Sequence, residues 1–111
     1  MATVSNLFVD AGSTYSNIIT VSASNGQPLD LTGYTVASQM RKSYGSSTSY
    51  NFTSSIYNAV QGKVRLQLTD TQSQAIPSGR WLYDVEIRSP SGAVTRVVEG
   101  IVTVNPQITQ I

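Results

Sequence analysis

Two carboxylates are the residues whose spacing in this sequence could support catalysis. Asp84 and Glu86 are two positions apart in a segment where polar and apolar residues alternate. Successive side chains of a strand point to opposite faces, so both carboxylates should lie on one face, roughly 7 Å apart. Two carboxylates at such a distance could serve as the acid and base of a glycosidase. Arg88, Arg96 and Glu99 follow in the same segment, and we favour cross-strand ion pairs over catalysis.

The composition offers little other chemistry. The sequence contains no His and no Cys, which removes the commonest general base, the thiolate nucleophile and the commonest metal ligands. We therefore expect no enzymatic activity, no cofactor and no metal site. The net charge of +1 is too small to attract nucleic acid. No segment approaches about 18 consecutive apolar residues, and the first residues lack the character of a secretory signal, so we expect no membrane association.

Charged residues are unusually sparse. They make up 12% of the chain, about half of the usual ~25%. A surface of neutral polar groups is weakly solvated and repels other copies of itself little. This favours a protein that works inside an assembly, as a homo-oligomer or bound to other subunits.

The strongest structural signal is a predicted hairpin at residues 79–104. Its first strand alternates polar residues with an apolar set that should face the core: Trp81, Tyr83, Val85 and Ile87. Pro90-Ser91-Gly92 predicts the turn, and the return strand at 94–104 is rich in β-branched residues. Pairs of adjacent apolar residues flank Gly100, so we predict a β-bulge at that glycine.

The rest of the chain predicts further strands and one short helix. Strands are expected at 14–23, 33–42, 50–56 and 63–68, with a short strand or arm at 3–9. A helix is expected at 69–76, where Thr69 and Gln72 have the spacing of a capping box. About seven strands separated by frequent turns predict an all-β fold, a single β-sandwich domain over residues 1–111.

Six apolar or aromatic residues are candidates for contacts with other molecules: Val4, Leu7, Tyr44, Tyr50, Ile108 and Ile111. The two tyrosines flank a Gly/Ser/Thr loop at 43–49 and could stack on sugar rings, although local packing is the commoner role of loop aromatics. The other four lie in the end segments 1–9 and 105–111. These segments could extend as arms that add a strand to a neighbouring subunit, or both could pair with their own sandwich.

Four segments, in order and spacing, resemble a phage module. They are residues 25–34 (NGQPLDLTGY), 62–70 (GKVRLQLTD), 79–87 (GRWLYDVEI) and 99–104 (EGIVTV). Together they are similar to the N-terminal domain of the lactococcal-type phage baseplate upper protein, a domain that recurs in many virion proteins. The four segments span residues 25–104, which is most of the chain. It implies an immunoglobulin-like β-sandwich in a virus particle, with no enzymatic residues to carry over.

The resemblance sets the functional expectation. In that family the domain usually precedes a region that holds an adaptor or a fibre, whereas this sequence ends at Ile111. We therefore expect a bacteriophage virion structural protein, made in the host cytoplasm, that decorates or cements the capsid by binding the major capsid protein. A tail or baseplate component is the alternative, and a carbohydrate-binding module is a third, from a different class.

Overall fold

The computed structural model describes residues 3–23 and 25–108. They form two β-sheets that enclose one hydrophobic core, with one short helix. This confirms the all-β sandwich that the alternating pattern predicted. The described residues form nine strands, some of them very short, where about seven were expected.

The two sheets differ in size. The six-stranded sheet contains β1 (Thr3–Val4), β2 (Leu7–Asp10), β4 (Thr35–Arg41), β5 (Ser49–Asn51), β8 (Gly79–Arg88) and β9 (Val94–Asn105). Its order is β1-β9-β8-β4-β5, and β2 also pairs with β9. The three-stranded sheet has the order β3-β7-β6 and contains β3 (Tyr15–Thr20), β6 (Thr53–Asn58) and β7 (Lys63–Leu68).

The core follows the predicted alternation. The apolar set of β8 is buried, as expected, and Trp81 is only 3% exposed. The predicted inward positions of β7 are buried with it: Val64, Leu66 and Leu68. The indole N–H of Trp81 donates to the carbonyl oxygen of Pro77 at 3.0 Å. The one polar atom of this large side chain is therefore satisfied inside the sandwich.

The bulge of the β8–β9 hairpin lies at Val97, not at Gly100. Val85 pairs with Val98 but Glu86 pairs with Arg96, so Val97 is the extra residue. The pairs around Gly100 stay in register, which makes the prediction of a bulge at that glycine wrong. The adjacent apolar residues indicated correctly that this strand contains a bulge, but they did not show at which residue it lies.

Gly100 instead permits a close approach of the N-terminal chain. A Cβ atom at Gly100 would clash with the carbonyl oxygen of Ser5. Tyr83, which faces Gly100 across the hairpin, donates its hydroxyl hydrogen bond to that same oxygen. A side chain at position 100 would therefore displace the N-terminal segment from β9.

The N-terminal segment pairs with its own sheet. β1 and β2 both run parallel to β9, with Thr3 opposite Val98 and Leu7 opposite Val102. Between them, the side-chain oxygen of Asn6 accepts a hydrogen bond from the Ile101 N–H at 3.1 Å. Residues 3–9 are thus part of the sandwich, which matches the alternative in which this segment is a short strand paired with its own sheet. Residues 1 and 2 lie outside the described range.

The start of the predicted C-terminal arm is also held by the sandwich. The Ala11 N–H donates to the Asn105 carbonyl oxygen at 3.0 Å. The Gln107 side chain fills the space that a Cβ atom at Gly12 would need. The last three predicted arm residues, 109–111, lie outside the described range.

The single strand predicted at 50–56 is two strands in different sheets. β5 pairs with β4 of the six-stranded sheet, and β6 pairs with β7 of the three-stranded sheet. The chain changes sheet at Phe52, whose N–H donates to the Ser38 carbonyl oxygen at 3.0 Å. Because both sheets face the same core, the alternating pattern continues through the change and cannot reveal it.

The predicted helix is present as α1 (Asp70–Ala75), with the expected capping box. The Gln72 N–H donates to the Thr69 hydroxyl oxygen at 3.1 Å. In return, the Thr69 N–H donates to the Gln72 side-chain oxygen at 2.8 Å. The buried Ser73 hydroxyl donates to the Ser13 carbonyl oxygen at 2.8 Å and ties the helix to the turn before β3.

Candidate interaction surface

The outer face of the six-stranded sheet forms an open groove. Its volume is about 530 Å³, and its lining includes Leu82 of β8, Ile101 of β9 and Val4 of β1. Tyr44, in the loop after β4, lines the same groove. The groove exists because one set of alternate side chains on these strands points away from the core.

An ion-pair cluster lies in the groove. The Arg96 Nε atom is 3.1 Å from Asp84 Oδ2, and its Nη1 atom is 3.4 Å from Glu99 Oε1. All three side chains are partly exposed, at 47%, 32% and 39%. The predicted cross-strand ion pairing is confirmed for Asp84 and Arg96, whereas Glu99 pairs with Arg96 within β9. In the part of the chain that the structure describes, Glu86 pairs with no basic side chain.

The bulge at Val97 is what brings Arg96 to this face. Beyond the bulge, Val98 and Val102 point into the core. Without the extra residue, Arg96 would share their face because alternate residues of a strand point the same way. Arg96 instead lies opposite Glu86 and reaches Asp84 from the solvent side.

Arg41 supports the loop that carries Tyr44. Its Nη1 atom donates to the Ser46 carbonyl oxygen at 2.7 Å, and its Nη2 atom donates to the Gln39 side-chain oxygen at 3.2 Å. Tyr44 itself is 82% exposed. The loop is therefore fixed at its base, while the aromatic ring stands in solvent at the border of the groove.

Two of the candidate contact residues from the sequence, Val4 and Tyr44, meet at this groove. Tyr50 does not, because it is half-buried and packs edge-on against Trp81 with ring centroids 5.4 Å apart. Leu7 is buried in the core and offers no contact surface, so its selection as a contact residue is corrected. Ile108 is exposed and belongs to neither sheet. Ile111 lies outside the described residues.

Sequence reasoning missed two exposed apolar residues on this face, Phe8 and Ile101. Phe8 is 69% exposed and lies opposite Thr103, while Ile101 is opposite Leu82. Val4 pairs with Glu99 and Phe8 pairs with Thr103, so each lies diagonally beside Ile101 on this face. We call these four residues, Val4, Phe8, Leu82 and Ile101, the Ile101 patch. The alternation of Leu7, Phe8 and Val9 was a signal that could have identified Phe8 as outward-facing.

Tyr83 lies beneath the groove on the core side of β8. Its side chain is only 4% exposed. Burial raises the pKa of the Tyr83 hydroxyl to about 12. The hydroxyl is therefore a hydrogen-bond donor at physiological pH and holds the segment between β1 and β2 against Gly100.

Across residues 3–23 and 25–108, no group of three His, Cys, Asp or Glu side chains is arranged to hold a metal ion. No helix in those ranges has the length and apolar character needed to cross a membrane. Comparison of the chain with protein-family models and with curated proteins finds no match.

Proposed function

We propose that this chain is a non-enzymatic structural protein of a bacteriophage virion. Its specific role is decoration or cementing of the capsid, in which the Ile101 patch binds a neighbouring coat subunit. The observation that carries the proposal is the patch itself. Val4 and Phe8 are each 69% exposed, and Ile101 is 36% exposed, on adjacent strands of one face.

The surroundings of the patch suit a protein contact. Contiguous exposed apolar side chains with polar neighbours are typical of interaction sites. The Asp84–Arg96–Glu99 cluster lies beside the patch on the same face and supplies a polar border. Charged residues make up only 12% of the chain, so contacts with neighbours rely on neutral and apolar groups. The resemblance of four segments to a domain of virion proteins points to the same setting.

A role on the capsid suits a patch that lies on one face of the sandwich. A decoration protein attaches to an assembled lattice and needs one principal contact surface. A tail or baseplate component, which neighbours enclose on several sides, is the alternative. In both roles the patch would bind a neighbouring structural subunit. The two roles differ in where that subunit lies in the particle.

Location in the particle tests the proposal directly. Particles of the encoding phage would be purified, heads would be separated from tails, and the chain would be quantified in each fraction. We expect it in the head fraction, in proportion to the major capsid protein. Recovery with tails would establish the alternative role, and absence from both fractions would overturn the proposal of a virion protein.

Sugar binding is a second candidate, from a different class of function. One observation favours it: the 82% exposed Tyr44 ring borders a groove that also contains Gln39 and Asp84. An aromatic face with nearby amide and carboxylate groups provides both stacking and hydrogen bonding for a sugar. Screening against neutral oligosaccharides, with Tyr44→Ala as the control, tests it. Sugar binding that Tyr44→Ala abolishes would support this function. Failure of the wild-type chain to bind any of the sugars would rule it out.

A further inference from the structure

β3 is an edge strand that lacks the usual protection. In the described structure it pairs with β7 on one side and with no strand on the other. Its six residues, Tyr15-Ser16-Asn17-Ile18-Ile19-Thr20, include no charged residue, Pro or Gly. Its pairing with β7 runs without a register shift. Natural edge strands usually carry charges, prolines or bulges, because a bare edge is a template for another strand.

The other sheet edges in the described structure are shorter or irregular. β1 and β2 form an edge that is interrupted at Ser5 and Asn6. β5 has three residues. β6 has six residues, but its register shifts between Ile56 and Asn58. β3 is thus the one long and regular edge among them.

The backbone groups of three β3 residues point to the open side. The Val21 N–H, just after β3, donates to the Gly62 carbonyl oxygen at 2.7 Å and therefore points toward the β7 side. Hydrogen-bonded and non-hydrogen-bonded positions alternate along an antiparallel strand. The N–H and C=O groups of Ser16, Ile18 and Thr20 therefore point away from β7. Their side chains are exposed on the outer face of the three-stranded sheet.

We propose that two copies of this chain join through β3, antiparallel, about a two-fold axis between their Ile18 residues. Ser16 of each copy would lie opposite Thr20 of the other, and each such pair would exchange two N–H···O hydrogen bonds. This register uses the three residues whose backbone groups point outward. It joins two three-stranded sheets into one continuous sheet of the order β6-β7-β3-β3-β7-β6.

The strand is complementary to a second copy of itself in this register. A two-fold axis perpendicular to the sheet keeps the core faces of both copies on one side. The 42% exposed Ile18 side chain would then pack against its own counterpart. No charge would lie opposite a like charge, because β3 has none. The inference concerns self-association and does not depend on the proposed role in a virion.

A single introduced cysteine tests the register. The chain has no Cys, so a disulfide in the variant Ile18→Cys can form only between copies. Residues in a hydrogen-bonded antiparallel pair have Cα atoms about 5.5 Å apart, within the span of about 4.4–6.8 Å that a disulfide bridges. We expect mild oxidation to crosslink Ile18→Cys readily. Thr20→Cys, on the same edge but about 13 Å from its counterpart by strand rise, should crosslink far less.

Equal crosslinking of the two cysteine variants, or none in Ile18→Cys, would overturn the two-fold pairing. In particular, self-association without the Ile18→Cys crosslink would show that the copies meet in another register or through another surface.

A matched pair of lysine variants tests the edge independently. Ile18 and Ser55 both lie directly opposite Arg65, one in β3 and the other in β6. Ile18→Lys and Ser55→Lys therefore add the same charge beside the same arginine, and both positions are exposed in the monomer. Sedimentation over a range of concentrations would measure dimerisation. We expect Ile18→Lys to weaken the dimer about tenfold or more and Ser55→Lys to leave it unchanged.

Two results of this second test would overturn the proposal. One is a wild-type chain that stays monomeric at every concentration. The other is a dimer that both lysine variants weaken equally, since that would place the contact on the outer face of the sheet instead of on its β3 edge.

Discussion

Trp81 shows at the scale of a residue how the core is specified. It is the chain's only Trp, it packs against the Tyr50 ring, and Lys42 Nζ lies 5.1 Å from its ring centroid. Trp81→Ala should lower the free energy of unfolding by about 3–5 kcal/mol, because the cavity cannot fully collapse. Urea denaturation would measure the loss. Leu82→Ala, at the next, half-exposed position, should cost clearly less, and equal costs would contradict the observed orientation of β8.

Tyr83 should make the folded chain less stable at alkaline pH. Its pKa in the folded state is raised by burial from 10.0 to about 12. Above pH 10 the unfolded state therefore loses its proton first, and stability falls as the pH rises toward about 12. Burial also raises the pKa of Tyr15, which adds a loss of the same sign. Well below pH 10 both groups are protonated in both states and add no pH dependence.

Tyr83→Phe checks this assignment. The variant should be less stable than the wild type at neutral pH, because the hydrogen bond to Ser5 is lost. Its stability should also fall less steeply between pH 10 and about 12. Denaturation midpoints measured across that range would show it. Identical slopes for the two proteins would mean that other groups cause the alkaline loss.

At the scale of elements, features set by residues close together in the sequence could be predicted, whereas features set by tertiary pairing could not. The capping box of α1 and the buried face of β8 follow from residue types a few positions apart, so the sequence was sufficient. The change of sheet at Phe52 depends on which strands lie on either side of it, and the alternation continues through it. The groove was only half predictable. Val4 and Tyr44 were identified, but Ile101 joins them through pairing between distant segments.

The helix cap is the clearest test at this scale. Thr69→Ala removes the hydroxyl that accepts from the Gln72 N–H and should cost about 0.5–2 kcal/mol of stability. Thr71→Ala is the matched control, because Thr71 is exposed within the same helix and caps nothing. Denaturation of both variants would measure the difference. Equal effects would mean that the capping box adds little to the fold.

At the scale of the whole molecule, the proposed binding to coat subunits should depend little on charge, because charged residues make up only 12% of the chain. Contacts through the Ile101 patch involve apolar side chains, whereas salt screens charge pairs beyond a few ångströms at about 1 M. Binding to heads should therefore persist at that salt concentration. Co-sedimentation at low and high salt would measure it. Loss of binding in high salt would show that the seven basic residues carry the contact instead.

The central claim is that the Ile101 patch attaches the chain to coat subunits, and two valines allow its most direct test. Val4 lies in the patch and Val60 lies outside it, and their exposures are nearly equal at 69% and 70%. The measurement is the binding of Val4→Asp and Val60→Asp to purified heads that lack the chain. We expect Val4→Asp to lose most of the binding and Val60→Asp to keep wild-type affinity, with both variants folded. Full binding by folded Val4→Asp, or equal losses in both variants, would contradict the claim.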